Sequence, residues 1–376
     1  MTYPRRRDLP MFAGSTQAVG MHSGMGRRRR LSTRACLLAA IVWAMLAPKA
    51  AGGVRTTAEA ERAKLRNELT KAPYRIVFER FDDRDWDLFM MKADGSRPVN
   101  LTHNAAAHEM YPHASPDGRR ICFVADEGTG RSKVRSVYTM NADGSGRTLL
   151  AANARQPCWS PDGKTVLYAK GEYDRFTYSS YGTKGLFFYD VATGTRRQHP
   201  NRSILHVCYL CWAPGGRWIL GTVHGGMGFG HANLAIEADG RRVFDLRPIQ
   251  GCRPDVRPDG KKIAWNATDQ IIVIADLDLT SQPPKVGKPQ VLARCDKQHK
   301  VYHADWSPDG KYVAFSYGPD GSQHVGQMAR GWHICVADAV QRNVWVVLTK
   351  EGLSNKEPDW LPAPGAGKGP GKARAK

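Results

Sequence analysis

The sequence predicts an all-β fold, a six-bladed β-propeller whose closing blade is shared between the two ends of the chain. Three observations predict it. One turn motif recurs along the chain. The segment before the first copy contains the later strands of a unit and lacks its first strand. The segment at the last copy supplies a first strand and nothing more.

The motif stands at Ser115–Gly118, Ser160–Gly163, Arg257–Gly260 and Ser307–Gly310, with the sequence Ser/Arg-Pro-Asp-Gly. Ala213–Gly216 is a degenerate copy, and Trp360-Leu361-Pro362 is a truncated one. The motif prolines, at 116, 161, 214, 258, 308 and 362, are 45, 53, 44, 50 and 54 residues apart. Repeats of this length with strand-like patterning are propeller blades. Proline presets φ and glycine accepts a positive φ, so Pro-Asp-Gly makes a tight turn. An apolar strand ends before each turn, at Trp159, Trp212, Val256, Trp306 and Trp360, and an alternating strand follows it, as in Arg120–Val124 and Tyr312–Phe315. A third strand ends in an Asp-Gly turn, as at Asp143-Gly144 and Asp239-Gly240, and a fourth closes the unit. The later strands in 74–101 and the first strand in 357–362 complete one blade, which with five intact ones makes six. Joining the chain ends in one sheet leaves no unpaired edge between the first and last blades.

Outside the repeats, the chain divides simply. Residues 1–53 read as an N-terminal extension and signal peptide. Arg27–Arg30 and Arg34 precede a 13-residue apolar run, Ala35–Ala47, followed by small residues at 50–53. That is the layout of a secretory signal, and the run is short for a membrane span. A periplasmic or secreted protein is expected, with no membrane span once the signal is removed. Residues 54–72 read as a short helical spacer, with Thr57 as its cap and Leu65 and Leu69 as a narrow apolar stripe. The propeller occupies 73–362, and 363–376 is a basic tail rich in Pro and Gly, expected to be disordered.

The net charge of +20 excludes less than its size suggests. Much of it sits in the two ends; residues 52–362 hold 42 bases against 34 acids, scattered over turns. Nucleic-acid binders gather their bases on one element, so no nucleic acid is expected as a partner. The chain is expected to be a monomer.

Two groups of residues are candidates for chemistry. Blade-to-blade connections and second-to-third-strand loops share one face of a propeller. Ten of the eleven histidines after the signal belong to or border that face, among them His206, His231, His303 and His333. The long loop 170–185 adds Tyr173, Tyr178 and Tyr181. Aromatic rings beside polar groups suit sugar rings or peptide side chains. The second group stands three residues before each motif proline: His113, Cys158, Cys211, Asp255, Asp305 and Asp359. Equivalent positions in successive blades form a ring about the axis. Asp255, Asp305 and Asp359 there would hold a divalent metal ion; alternatively each accepts a backbone N–H from a neighbouring turn, and no cofactor is needed. Seven cysteines remain after the signal, mostly expected as buried thiols.

The repeat resembles that of the TolB-like β-propeller family. The matching signatures are Pro-x-Trp-Ser-Pro-Asp-Gly-Lys, as at 157–164, and the Ala-Asp-Gly-Ser turn followed by Leu-Thr, as at 93–102. The resemblance spans residues 73–362 and is expected to stop short of the α/β domain that precedes the propeller in TolB. It implies an exported binding module for an envelope protein or a cell-wall polymer. Related propellers also serve prolyl-oligopeptidase-like enzymes, but no Gly-x-Ser-x-Gly elbow occurs here. The alternative is a metal-dependent polysaccharide lyase or hydrolase on the His-rich face. Oligogalacturonate lyases, which are similar propellers, hold a metal with His and Gln, and Gln323, His324 and Gln327 lie in a loop of that kind.

Overall fold

The computed structural model describes residues 50–363, apart from 105, 180, 248, 321–329 and 351. The segment up to residue 49, where the sequence predicts a signal, and the tail from 364 lie outside the described residues, as do Gln323, His324 and Gln327. The described residues from Val54 onward form one compact unit.

Six antiparallel sheets follow one another around an axis. Blade 1 orders its strands Ser354–Leu361, Arg75–Phe81, Trp86–Lys92 and Val99–Asn100. Arg75 pairs with Leu361, Ile76 with Trp360 and Val77 with Asp359, so the two ends of the chain close one sheet as the incomplete repeats predict. Blade 2 holds Ala107–Ala114, Arg120–Glu127, Val134–Asn141 and Thr148–Ala152. Blade 3 holds Ala154–Trp159, Thr165–Gly171, Thr183–Asp190 and Arg196–Gln198. Blade 4 holds Val207–Trp212, Trp218–Gly226, Phe229–Glu237 and Val243–Asp245. Blade 5 begins with Cys252–Val256, Lys262–Thr268 and Ile271–Asp278, and blade 6 holds His299–Trp306, Tyr312–Pro319, His333–Asp338 and Trp345–Val347.

Blade 5 departs from the four-strand expectation. Its third strand pairs with two outer segments, Lys285–Val286 and Gln290–Arg294. Pro289, which cannot donate to a ladder, stands between them.

The turn motif explains itself atom by atom. In blade 2, Ser115 Oγ donates to Asp117 Oδ1 at 2.6 Å and accepts Arg120 N–H at 2.9 Å, while Arg119 N–H donates to the same Asp117 oxygen at 3.0 Å. Ser160 with Asp162 and Ser307 with Asp309 repeat the arrangement. Where Arg257 replaces serine, its guanidinium binds Asp259 instead. Gly118 takes φ +66°, and a Cβ there would stand 2.3 Å from the Pro362 carbonyl oxygen, so this turn also seats the returning C-terminal segment.

The core lies between blades. One cluster joins Ile76, Phe78, Tyr312, Ile334 and Trp360 across the seam of blades 1 and 6. Leu65 and Leu69 of the N-terminal helix are buried in that same cluster, so the spacer is docked on the seam. The helix itself runs Ala50–Lys71, which places Thr57 inside it and not at its cap. The seven cysteines among the described residues are free thiols.

Candidate functional site

Each innermost strand carries the same irregularity. Its pairing with the second strand shifts register between Met110 and His113, Arg155 and Cys158, Cys208 and Cys211, Cys252 and Asp255, and Tyr302 and Asp305, with the matching shift in blade 1 opposite Val77 and Glu79. The extra residue is Tyr111, Gln156, Tyr209, Arg253, His303 or Glu357, all with φ between +49° and +60°. A bulge of this kind re-aims a side chain and leaves its own N–H out of the ladder. Side chains of the preceding blade take up four of those N–H groups. Tyr111 N–H donates to Glu79 Oε2 at 2.9 Å, Tyr209 N–H to Gln156 Oε1 at 2.7 Å, Arg253 N–H to Thr222 Oγ1 at 3.0 Å and Glu357 N–H to Ser316 Oγ at 3.1 Å.

The six bulge residues line an axial channel together with five of the six ring residues, all but Cys158. Sequence reasoning found that ring and missed the bulges. Their signal was present: they stand five residues before each motif proline, and a second proline follows in four of the six copies, at 112, 157, 254 and 358.

The ring works as a chain of latches between blades. Asp255 Oδ2 accepts Trp306 N–H, Asp305 Oδ2 accepts Trp360 N–H and Asp359 Oδ1 accepts Ala114 N–H, each at 2.9 Å. Trp159 N lies 3.4 Å from His113 Nδ1, and Cys211 Sγ donates to Asp255 Oδ1 at 3.0 Å. Burial, then the charges of Asp359 and Asp255, push Asp305 well above the usual carboxylate range. Burial pushes Asp359 up to about 6 against the pull of His113. Among the described residues no group of three or more His, Cys, Asp or Glu side chains is arranged to hold a metal ion.

Above the channel opens a funnel of about 800 Å³. Tyr111, Tyr209 and Arg253 belong to both spaces; Tyr178, Tyr181, His224, His231, Asp269 and Tyr302 complete its polar and aromatic wall. Of the predicted face residues, the structure thus brings Tyr178, Tyr181 and His231 together. Both tyrosines are about half exposed, 56% and 50%. Tyr178 is fixed by a hydrogen bond from Lys133 Nζ at 3.1 Å and by the edge of Phe176. Tyr173 stands outside the funnel, with Arg175 over its ring.

The histidines separate. His231 Nε2 meets the Gly251 carbonyl at 2.6 Å, and since a carbonyl only accepts, that nitrogen carries a proton. Its Nδ1 lies 3.0 Å from Nδ1 of His224, another histidine of the face that the sequence predicts. Burial, then His231 and Arg253, push His224 down to about 4. His206 spans the Gly225 carbonyl and Glu172, and His333 bonds the Thr349 carbonyl. His303 lies in the channel, its Nε2 against Glu357 Oε1. Burial lowers His303 well below its ordinary value and raises Glu357 well above its own, so the pair favours its neutral forms. Several of these histidines, His231, His303 and His333 among them, stand on strands and not in loops, because the strands run on to the rim of the face.

No family model matches the chain. Its sequence is 24% identical over 216 residues to the uncharacterized peptidase YuxL of Bacillus subtilis, an alignment that takes 54% of this chain and 29% of that protein. The chain therefore spans less than a third of the curated relative it matches. Among solved structures, TolB from Acinetobacter baumannii superposes with a TM-score of 0.57 and 19% identity, over 77% of this chain and 67% of that one. A putative TolB from Agrobacterium tumefaciens gives 0.52 and 16%, over 76% and 92%. A chain of the nidogen/laminin complex gives 0.55 and 8%, over 77% and 99%. At these identities the likeness is one of fold, a TolB-like six-bladed propeller.

Proposed function

We propose that this chain is an exported propeller acting as a non-catalytic binding module, which takes part of an envelope protein or cell-wall polymer into the axial funnel. The observation that carries the reading is the meeting of five tyrosines, Tyr111, Tyr178, Tyr181, Tyr209 and Tyr302, around one cavity on a closed scaffold. Tyrosine offers a large apolar face with a polar edge and loses little rotamer freedom on binding. The basic–apolar–small pattern of residues 27–53 supports export.

The metal-dependent alternative draws on His224 and His231, which already touch. A Zn²⁺ or other transition-metal centre takes at least three protein ligands in its usual catalytic form, so the pair needs a third.

An array of muropeptides, uronate oligosaccharides and random peptides, probed with the unmodified protein and with Tyr181→Ser and Tyr209→Ala, tests the proposal. Binding of one class that both variants weaken supports it. Turnover of a glycan that depends on added Mn²⁺ and is lost in His231→Ala would replace it with the enzymatic reading.

A further inference from the structure

The base of the funnel contains hydrogen-bond donors that the protein itself leaves unused. Arg253 Nε and Tyr111 Oη are both buried and have no hydrogen-bond partner. Both residues line the channel and the funnel above it. The Arg253 guanidinium is held between two rings, 4.0 Å from the centre of Tyr209 and 4.8 Å from that of Tyr302. One Nη donates to Tyr209 Oη at 3.0 Å and the other contacts Cys252 Sγ at 3.8 Å. None of these contacts is an anion. The acid across the channel, Glu357, favours its neutral form because burial raises its pKa. Burial works against the Arg253 charge as well, but the groups around it, Tyr209 first, raise its pKa overall and keep it a cation.

A second buried arginine adds to this. Arg155 Nε is also without a partner, while its Nη1 bonds the carbonyl of Ser179 on the funnel wall. By contrast, Arg135 is matched by Asp126 through two bonds of 2.6 and 2.7 Å. A buried cation without a counter-ion is costly, and a planar guanidinium stacked on aromatic faces is suited to a planar anion.

We propose that the base of the funnel is a carboxylate receptor centred on Arg253, and that its ligand is the C-terminal carboxylate of an extended peptide. The inference rests on the reading of the funnel as the ligand site. Charge selects the group: the free donors are an N–H of a guanidinium and a phenol, each of which donates strongly to a carboxylate oxygen. Size selects the chain behind it. The channel offers about 110 Å³, less than the ~150 Å³ cavity that admits benzene. A pyranose ring, larger than benzene, stops in the funnel, whereas a terminal carboxylate with a small side chain enters. A peptide end is an anion that arrives on a narrow, extended chain, and the preceding residues meet Tyr178, Tyr181 and Tyr302 in the wider space.

The test uses two pools of fluorescein-labelled random hexapeptides ending in alanine, one with a free C-terminus and one amidated. The free-acid pool is expected to bind at least about tenfold more tightly, the worth of a hydrogen bond to a charged group. Arg253→Gln should abolish that difference and Arg253→Lys should reduce it, while the exposed Arg66→Gln leaves it intact. The comparison of pools on the unmodified protein needs no variant, so a misfolded Arg253→Gln does not remove the test. Equal binding of both pools, weakened alike by Tyr209→Ala, would overturn the carboxylate inference and leave the funnel reading standing. Preference for digalacturonate over either pool would overturn the peptide commitment, and absence of binding by both pools would overturn the inference outright.

Discussion

The carboxylate of Asp305 in blade 6 accepts the backbone N–H of Trp360 in blade 1 at 2.9 Å, and the Trp360 indole N–H donates back to the Asp305 carbonyl at 3.2 Å. Trp360 in turn pairs with Ile76 near the start of the propeller. The seam between the last blade and the first is thus latched like its neighbours, and the closing sheet is made from both ends of the chain. Closure then depends on the strand Ser354–Leu361, whose eight residues are all buried.

Deleting residues 355–376 should therefore unfold the propeller or lower its urea midpoint severely, since blade 1 loses its innermost strand and the seam of blades 1 and 6 loses Trp360 from its core cluster. Deleting 364–376 alone should leave the midpoint unchanged. Equal stability of the two truncations would refute the closed ring.

Asp305 acts as a neutral acceptor on this account. Asp305→Asn keeps the acceptor and should cost at most about 1 kcal/mol, whereas Asp305→Ala strands the Trp360 N–H and should cost about 1–3 kcal/mol in urea denaturation. The latches need no cation, so EDTA should not move the melting temperature. A fall on chelation that Asp305→Ala removes would establish the ring as a metal site.

Stability should decline as pH rises towards and through neutrality. Burial pushes Glu79 up to about 7 from an ordinary 4.5, against the pull of the Tyr111 N–H and Lys356. A raised carboxyl pKa means that the folded state holds the proton more tightly, so its contribution is complete below 4.5 and lost as pH rises through 7. Asp359, at about 6, acts in the same direction. So does His113: burial lowers its pKa, but Asp359 raises it overall, and its contribution fades above 6.5. The lowered pKa values of His303 and His224 act oppositely, but their contributions are complete by 6.5. The melting temperature should fall between pH 6.5 and 8, and Glu79→Gln, which keeps an acceptor for Tyr111, should flatten the fall. A profile that rises over this interval would contradict it.

Export is checked by sequencing the N-terminus of the protein from its native cells. The signal layout places the mature start between about residues 48 and 55. A chain that retains residues 1–47 in the cytosol would refute the proposed compartment.

The motif Ser/Arg-Pro-Asp-Gly determined the blade count, the closure and the axial ring, because turn chemistry is local. Proline, aspartate and glycine act within five residues, and the pattern repeats wherever the sequence repeats. The bulges were visible only as an unremarked position before a proline. What Tyr111, Tyr209 and Arg253 do depends on side chains of the preceding blade, Glu79, Gln156 and Thr222, which lie 32, 53 and 31 residues away in sequence. The scatter of the histidines was likewise undecided by sequence. His206, His231, His303 and His333 share a face by topology, but which of them meets the funnel depends on where each ring finds a carbonyl or a carboxylate. Tertiary packing alone made that choice: it gave His206 to Glu172, His333 to Thr349 and His303 to Glu357, and left His231 beside His224 in the funnel.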